Sequence, residues 1–164
     1  MCNLSLTNIR VNIFDEDSNK FFTYFPYTFN NQKRSIMIME KKIIYTEKAP
    51  RAIGPYSQAV VYNGTVYCSG QIALLPESME IVNGGIEEQA RQVMKNLEQV
   101  LIAAETSFKN VLKCTIFLQD MNDFPAVNEI YGEFFEDNPP SRETVAVKEL
   151  PKSVLIEVSC VAAC

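Results

Sequence analysis

The sequence predicts an α+β domain in which two helices pack on one face of a β-sheet. Three observations support this prediction: a turn dipeptide between two β-rich runs, two segments with apolar residues spaced by threes and fours, and a last strand with alternating apolar residues. From residue 40 onward the predicted order of elements is β-β-β-α-β-α-β-β.

The first three strands end in a hairpin. "KKIIYT" at 41–46 is a short strand candidate, and "YSQAVVYNGTVYCSG" at 56–70 contains two β-rich runs. Asn63 and Gly64 separate these runs, and this dipeptide tolerates the positive φ angles of a tight turn. We therefore expect an antiparallel hairpin here.

Two helices follow, each with one apolar face. The first begins after Gly84-Gly85, and the second begins at an N-cap on Asn122 or Asp123, with Pro125 in its first turn. Pro139-Pro140 is predicted to end the second helix. The apolar stripes are Ile86, Ala90, Val93, Met94, Leu97, Val100, Leu101 and Ala104 in the first helix, and Val127, Ile130, Tyr131, Phe134 and Phe135 in the second.

The remaining strands are "VLKCTIFLQD" between the helices, then "ETVAVKEL" and "SVLIEVSCVA". Side chains alternate along a strand, so one side of the last strand carries Val154, Ile156, Val158, Cys160 and Ala162. The other side carries Leu155, Glu157, Ser159 and Val161, and the same parity puts Val111, Thr115 and Phe117 on that second face. Because this face is too apolar for open water, we expect a homo-oligomer with Glu157 near a subunit interface.

Composition excludes several classes of function. The chain has 164 residues, 47% apolar content, a formal charge of −5 and a pI near 4.8, so nucleic acid is a poor default partner. It has no apolar tract long enough to cross a membrane. There is no histidine, which excludes Ser-His and Cys-His nucleophiles and histidine-ligated zinc.

Five cysteines lack metal-binding spacing, which disfavours a zinc site or a disulfide framework. Three of them lie in apolar strand-like runs and are predicted to be reduced and buried. This is typical of a cytoplasmic protein, or of a mitochondrial or other organellar one if a targeting segment is present. The cysteines are Cys2, Cys68, Cys114, Cys160 and Cys164.

Residues 1–38 differ from the domain predicted at 39–164. The first segment has four basic and three acidic residues, a charge of +1, whereas the rest has eleven basic and seventeen acidic residues, a charge of −6. The acidic cluster at 15–17 is atypical of a mitochondrial presequence. A leader, a disordered extension and an upstream start codon all remain open.

Several polar residues are candidates for chemistry, each with a plainer alternative. Arg142 follows two stiffening prolines and suits a carboxylate clamp, although a solvated surface arginine is commoner. Glu157 either lies on a solvent-exposed face of the sheet or has a role in a functional site. Tyr56 follows the Gly54-Pro55 turn and either lines a rim or caps the core.

Two further signals are weak on their own. Phe124 and Asn128 share one face of the second helix, which is also typical of ordinary packing with an exposed amide. Ser69 and Gly70 allow close backbone approach, or simply end a strand.

Five ordered blocks resemble the RidA/YjgF family of enamine/imine deaminases. They are "AIGPYSQAV", "YCSGQI", "NDFPAVNEIY", "PPSRETVAV" and "LPKSVLIEVSCVA", and the similarity runs from about Ile43 to Ala163. The resemblance implies a chorismate-mutase-like mixed sheet with two helices on one face, assembled as a homotrimer around a central β-barrel. It implies 2-imino acids as substrates and no metal or organic cofactor.

The resemblance also implies roles for particular residues. Arg142 would bind the substrate carboxylate, Glu157 would orient and help deprotonate the attacking water, and Tyr56 would close the pocket. The substrate-binding positions would be Ser69, Gly70, Phe124, Asn128 and Thr144. Pro139 and Thr144 depart from the common pattern, which has an aromatic residue and a cysteine there; the family uses the second of these positions largely through its backbone carbonyl.

The implied reaction is hydrolytic deamination of 2-aminoacrylate, 2-iminobutanoate or 2-iminopropanoate to a 2-keto acid and ammonia. Two alternatives from other classes stay open: an RNA-binding ribonuclease or translation inhibitor, and a non-catalytic ligand-binding or chaperone-like trimer. The acidic domain without histidine argues against the first alternative.

Overall fold

The computed structural model describes residues 40–135 and 137–164 with their side chains, and the backbone of three segments before them. Contacts divide the chain into two compact units, 1–41 and 42–164. In the first unit the strands β1 (Val11–Asp15), β2 (Lys20–Tyr24) and β3 (Met37–Ile38) form an antiparallel sheet. Sequence analysis did not predict these strands, because the segment lacks a regular period. The rest of 1–38, including Cys2, lies outside the described residues.

The second unit is built on a six-stranded mixed sheet with the order β4-β5-β6-β9-β7-β8. All neighbours are antiparallel except β7 and β8, which are parallel because α2 crosses between them. The predicted α+β order is confirmed for this unit. The strands are β4 (Lys42–Ile44), β5 (Ala59–Tyr62), β6 (Thr65–Cys68), β7 (Val111–Leu118), β8 (Ser141–Ala146) and β9 (Ile156–Ala163).

The predicted hairpin joins β5 to β6. Asn63 and Gly64 have φ angles of 53° and 69°, the two positive values that a type I′ turn requires. A right-handed sheet twist favours this turn, which sets the register of the central strands.

Two helices cover one face of the sheet. The first, α1 (Ile86–Ala103), begins where the Gly85 N–H donates to Glu88 Oε2 at 2.8 Å. The second, α2 (Phe124–Phe134), has Pro125 in its first turn as predicted. It ends five residues before Pro139, so the prediction that the proline pair ends it was wrong. Phe135 leaves the helix to bury its ring against Tyr131.

Burial along β9 alternates as predicted, with Val154, Ile156 and the other even-numbered positions in the core. The prediction that Val111 lies on the second face of the sheet was wrong. A register shift between Val111 and Lys113 turns the Val111 side chain into the core. On the opposite face, large side chains are exposed in the single chain: Ile43 is 50%, Tyr67 49% and Val145 47% exposed.

No helix in the described parts of the chain is long and apolar enough to cross a membrane.

Candidate active site

Arg142 lies at the edge of the sheet, on β8, on the face covered by the helices. Its register partner is Cys114 on β7, and its guanidinium carbon is 4.8 Å from the Tyr131 ring centroid and 5.4 Å from that of Phe124. Within 40–135 and 137–164 its side chain has no hydrogen bond or ion pair. The guanidinium is thus held by two rings, and its N–H donors remain free for an anion.

Glu157 lies on β9, on the other face of the sheet, opposite Phe117. Its carboxylate is half-buried and has no hydrogen bond or ion pair to any described residue. Burial raises the pKa of Glu157 above its ordinary value. A half-buried acid without a hydrogen bond or ion pair to the described residues pays a desolvation cost, which makes Glu157 a candidate functional residue.

Gly70 makes room for the Glu157 carboxylate. A Cβ atom at Gly70 would lie 1.8 Å from Oε1 and 2.7 Å from Cδ of Glu157. The neighbouring backbone is fixed because Gln71 and Val158 exchange both N–H to O bonds, at 2.8 and 3.0 Å. The missing side chain at position 70 therefore allows the acid to lie against the backbone.

Ser69 links this acid to the loop that carries Tyr56. Its hydroxyl donates to the Ser57 carbonyl at 2.6 Å, and its N–H donates to the Gln58 carbonyl at 3.0 Å. Tyr56 is 49% exposed, and its hydroxyl accepts a long bond of 3.5 Å from the Ile53 N–H. The phenol is therefore presented at a rim and does not cap the core.

Buried Gln58 supports the same loop. Its amide accepts from the Thr46 N–H at 2.7 Å and donates to the carbonyls of Thr46, Ala49 and Pro50 at 2.9 to 3.2 Å. Sequence analysis missed this residue, because a single polar residue before an apolar run also occurs at an ordinary strand start.

The two remaining predicted substrate-binding residues are Asn128 on α2 and Thr144 on β8. Asn128 is exposed on α2, one turn after Phe124, and makes no hydrogen bond to the described residues. Thr144 follows Arg142 by two positions on β8, on the same face, and its hydroxyl oxygen is buried without a partner among those residues. Thr144 thus has an unsatisfied polar atom on the same face of β8 as Arg142.

A single chain separates the predicted residues into two groups. Arg142 and Phe124 lie on the helix-covered face, whereas Glu157 lies on the opposite face beside Gly70. Strands β8 and β9 flank β7, so their backbones are about 10 Å apart. One chain does not place the guanidinium and the carboxylate on a common surface.

Tyr131 is a residue at this site that sequence analysis treated as core alone. It is 6% exposed. Because apolar residues lie three and four positions from it in the sequence, the pattern alone assigns it to the core. Its position seven residues after Phe124 puts both rings on one helix face, which was the available signal. Burial raises the pKa of Tyr131 above its ordinary range, and the nearby Cys114 thiol raises it further.

We expect Gly70→Ala to reduce activity more than stability. The new methyl group would displace the far end of the Glu157 side chain, which is flexible enough to move without unfolding the strand. If Glu157 has the role that the family resemblance implies, a misplaced carboxylate should lower kcat by about 10²-fold, measured as keto-acid release alongside thermal unfolding.

Gly132→Ala is the matched control, since a Cβ at Gly132 on α2 would meet nothing within 4 Å. Removing a helical glycine should raise stability by roughly 0.5–1 kcal/mol and leave turnover unchanged. Equal kcat for wild type and Gly70→Ala would contradict the steric argument at position 70.

The chain is similar to known proteins over about three quarters of its length. Residues 46–164 match the family model described as endoribonuclease L-PSP. The human 2-iminobutanoate/2-iminopropanoate deaminase is 49% identical over 122 residues, which cover 74% of this chain and 89% of that protein.

Two solved structures are similar over three quarters of the chain. RidA from the Antarctic bacterium Psychrobacter is 38% identical, with a TM-score of 0.73, over 75% of this chain and 99% of that one. E. coli TdcF with bound serine is 40% identical, with a TM-score of 0.72, over 75% and 98%. The fold, the family match and these identities together show that this chain belongs to the RidA/YjgF family.

Proposed function

We propose that the protein hydrolyses reactive enamine and imine intermediates to 2-keto acids and ammonia. The substrates would be 2-aminoacrylate, 2-iminobutanoate and 2-iminopropanoate. One observation carries the proposal. The Arg142 guanidinium lies against two aromatic rings and the half-buried Glu157 carboxylate lies against Gly70, yet neither side chain has a hydrogen bond or ion pair to the described residues. The similarity to a human protein named for this activity supports the same reaction.

Arg142 would bind the carboxylate of the imino acid. Its planar fork suits two parallel N–H to O bonds, and the rings of Phe124 and Tyr131 leave those donors free. The structure of TdcF with bound serine supports a ligand that carries a carboxylate beside a nitrogen-bearing carbon.

Glu157 would act as the base for the attacking water. The water oxygen forms a bond to C2 of the protonated imine while Glu157 takes one of its protons, giving a tetrahedral carbinolamine. The protonated acid then returns that proton to the amino group and is again a carboxylate. The C–N bond breaks, ammonia leaves, and Glu157 accepts the carbinol O–H proton as the ketone forms. The raised pKa of Glu157 suits both steps, because it brings the acid closer to neutral pH.

The other predicted residues would shape the pocket. Ser69 and Gly70 would line it through hydroxyl and backbone, and Tyr56 would close it and hydrogen-bond the substrate or water. Phe124, Asn128 and Thr144 would form the wall on the Arg142 side.

A second copy of the chain would complete the site. Arg142 and Glu157 lie on opposite faces of one sheet, and the face that carries Glu157 exposes Ile43, Tyr67 and Val145. Covering that face with the edge of another protomer would bury these side chains and bring the two groups together. The homotrimer around a central barrel remains our proposal for this arrangement.

The cysteines favour a reducing compartment. Cys68, Cys114 and Cys160 are free and buried in the core. We infer the cytoplasm, or an organelle if the first 38 residues direct the chain there.

The test generates 2-aminoacrylate or 2-iminobutanoate with a pyridoxal-phosphate dehydratase and times keto-acid release. Purified full-length protein should accelerate release over spontaneous hydrolysis, in proportion to its concentration. No acceleration at any concentration would exclude the deaminase function.

RNA cleavage is the weaker alternative, even though the matched family model is described as an endoribonuclease. A chain with a formal charge of −5 and no histidine has a poor phosphate-binding field and lacks the commonest acid/base group. Incubation with single-stranded RNA should leave the RNA intact.

A further inference from the structure

We propose that Tyr131 is a positioning residue whose ring, together with that of Phe124, orients Arg142 for carboxylate binding. This inference rests on the proposed role of Arg142 as the carboxylate-binding group. It assigns a function to a buried aromatic residue that sequence analysis treated as packing.

The geometry is that of a cation–π contact on two sides. The guanidinium carbon of Arg142 is 4.8 Å from the Tyr131 centroid and 5.4 Å from the Phe124 centroid, and attraction is significant within about 6 Å. Both rings come from α2, two helical turns apart, so one helix supplies both contacts.

No other described group orients the arginine. Within 40–135 and 137–164 its side chain has no hydrogen bond or ion pair, and its strand, β8, is the outermost in the sheet. An arginine that nothing restrains loses rotamer freedom when it binds a ligand, and this loss weakens binding. The rings therefore offset part of this cost before substrate arrives.

Tyr131 is itself rigid, so it can serve as a fixed platform. Its ring lies 4.5 Å from that of Phe135, and Phe135 makes an edge contact with Phe108 at 5.1 Å. Only 6% of Tyr131 is exposed, and the group that its hydroxyl meets among the described residues is the Cys114 thiol, which is a weak hydrogen-bonding partner. The hydroxyl is thus not required to hold the ring, and Tyr131→Phe should keep the contact with Arg142.

The test varies the ring's electron density at nearly constant shape. Phenylalanine, 3,5-difluorophenylalanine and 3,4,5-trifluorophenylalanine are introduced at position 131 of the full chain by stop-codon suppression. Fluorine weakens the negative face of the ring, so affinity for 2-ketobutyrate and KM for the imino acid should worsen stepwise, by about two- to fivefold in total. The kcat should change little, because the arginine binds substrate and transition state alike.

The same series at Phe108 is the matched control. Phe108 belongs to the same aromatic cluster, where it contacts Phe134 and Phe135. Among the described residues, the rings that lie over the Arg142 guanidinium are those of Phe124 and Tyr131, not that of Phe108. Fluorination there should leave 2-ketobutyrate affinity unchanged. Thermal unfolding of every variant checks that the cluster still packs.

The outcomes separate this inference from the proposed function. If wild type accelerates deamination but the affinity for 2-ketobutyrate does not change with fluorination at position 131, the positioning role is wrong and the deaminase function stands. If wild type neither accelerates deamination nor binds 2-ketobutyrate by calorimetry, both proposals fail. If it binds the keto acid without turnover and the affinity follows the series, the positioning role stands while the deaminase function fails.

Discussion

Arg142→Ala is expected to lower kcat/KM by about 10²-fold or more, mainly through a higher KM. Loss of a charge-assisted bidentate contact typically costs about 2–5 kcal/mol, and Arg142 is the cation that we propose binds the substrate carboxylate. Stability should change little, because Arg142 is exposed and makes no ion pair with the described residues. Keto-acid release at a range of substrate concentrations measures the effect.

Arg142→Lys is the informative companion to this variant. It keeps the charge but loses the planar fork and much of the stacking on Tyr131 and Phe124. Its kcat/KM should fall between those of wild type and Arg142→Ala. A lysine variant as active as wild type would show that charge alone suffices, and would contradict bidentate binding.

Glu157→Gln is expected to lower kcat by about 10²–10⁴-fold, the usual contribution of a positioned general base. Glutamine keeps the size of the side chain beside Gly70, so the pocket should stay intact. Wild-type kcat/KM should fall as the pH drops through the raised pKa of Glu157, and this acid limb should be absent from the variant. Activity equal to wild type would remove Glu157 from the mechanism.

Stability provides an independent check on the same carboxylate. Burial raises the folded-state pKa of Glu157 above its unfolded value, so the folded chain holds this proton more tightly. The free energy of unfolding should therefore decrease as the pH rises from the unfolded pKa to the folded pKa. Glu157→Gln should lose this component, and it should be more stable than wild type at neutral pH, but not in acid where both states are protonated.

Mixing the two alanine variants tests whether the site is shared between chains. Arg142→Ala and Glu157→Ala chains are co-refolded in equal amounts, together with each variant alone. If the arginine and the acid come from different protomers, about one quarter of the sites receive both wild-type groups, and activity should recover to that level. No recovery, despite subunit exchange, would place both groups on the same chain.

The sequence by itself determined the element order of the domain and the hairpin between β5 and β6. Asn63-Gly64 dictated a type I′ hairpin, because few other dipeptides tolerate two positive φ angles. Alternation along β9 assigned its core side, because side chains on a strand must point to opposite faces. Local sterics and the period of the apolar residues carry this information, so it can be predicted without coordinates.

Only the tertiary structure decided what surrounds each candidate side chain. The β-bulge that buries Val111, the rings of Tyr131 and Phe124 over Arg142, and the approach of Glu157 to Gly70 all join residues distant in sequence. No local pattern encodes these contacts, because each depends on how helices and strands pack together. The sequence identified the guanidinium and the acid as candidates. Packing left both side chains without a hydrogen bond or ion pair to the described residues and put them on opposite faces of the sheet.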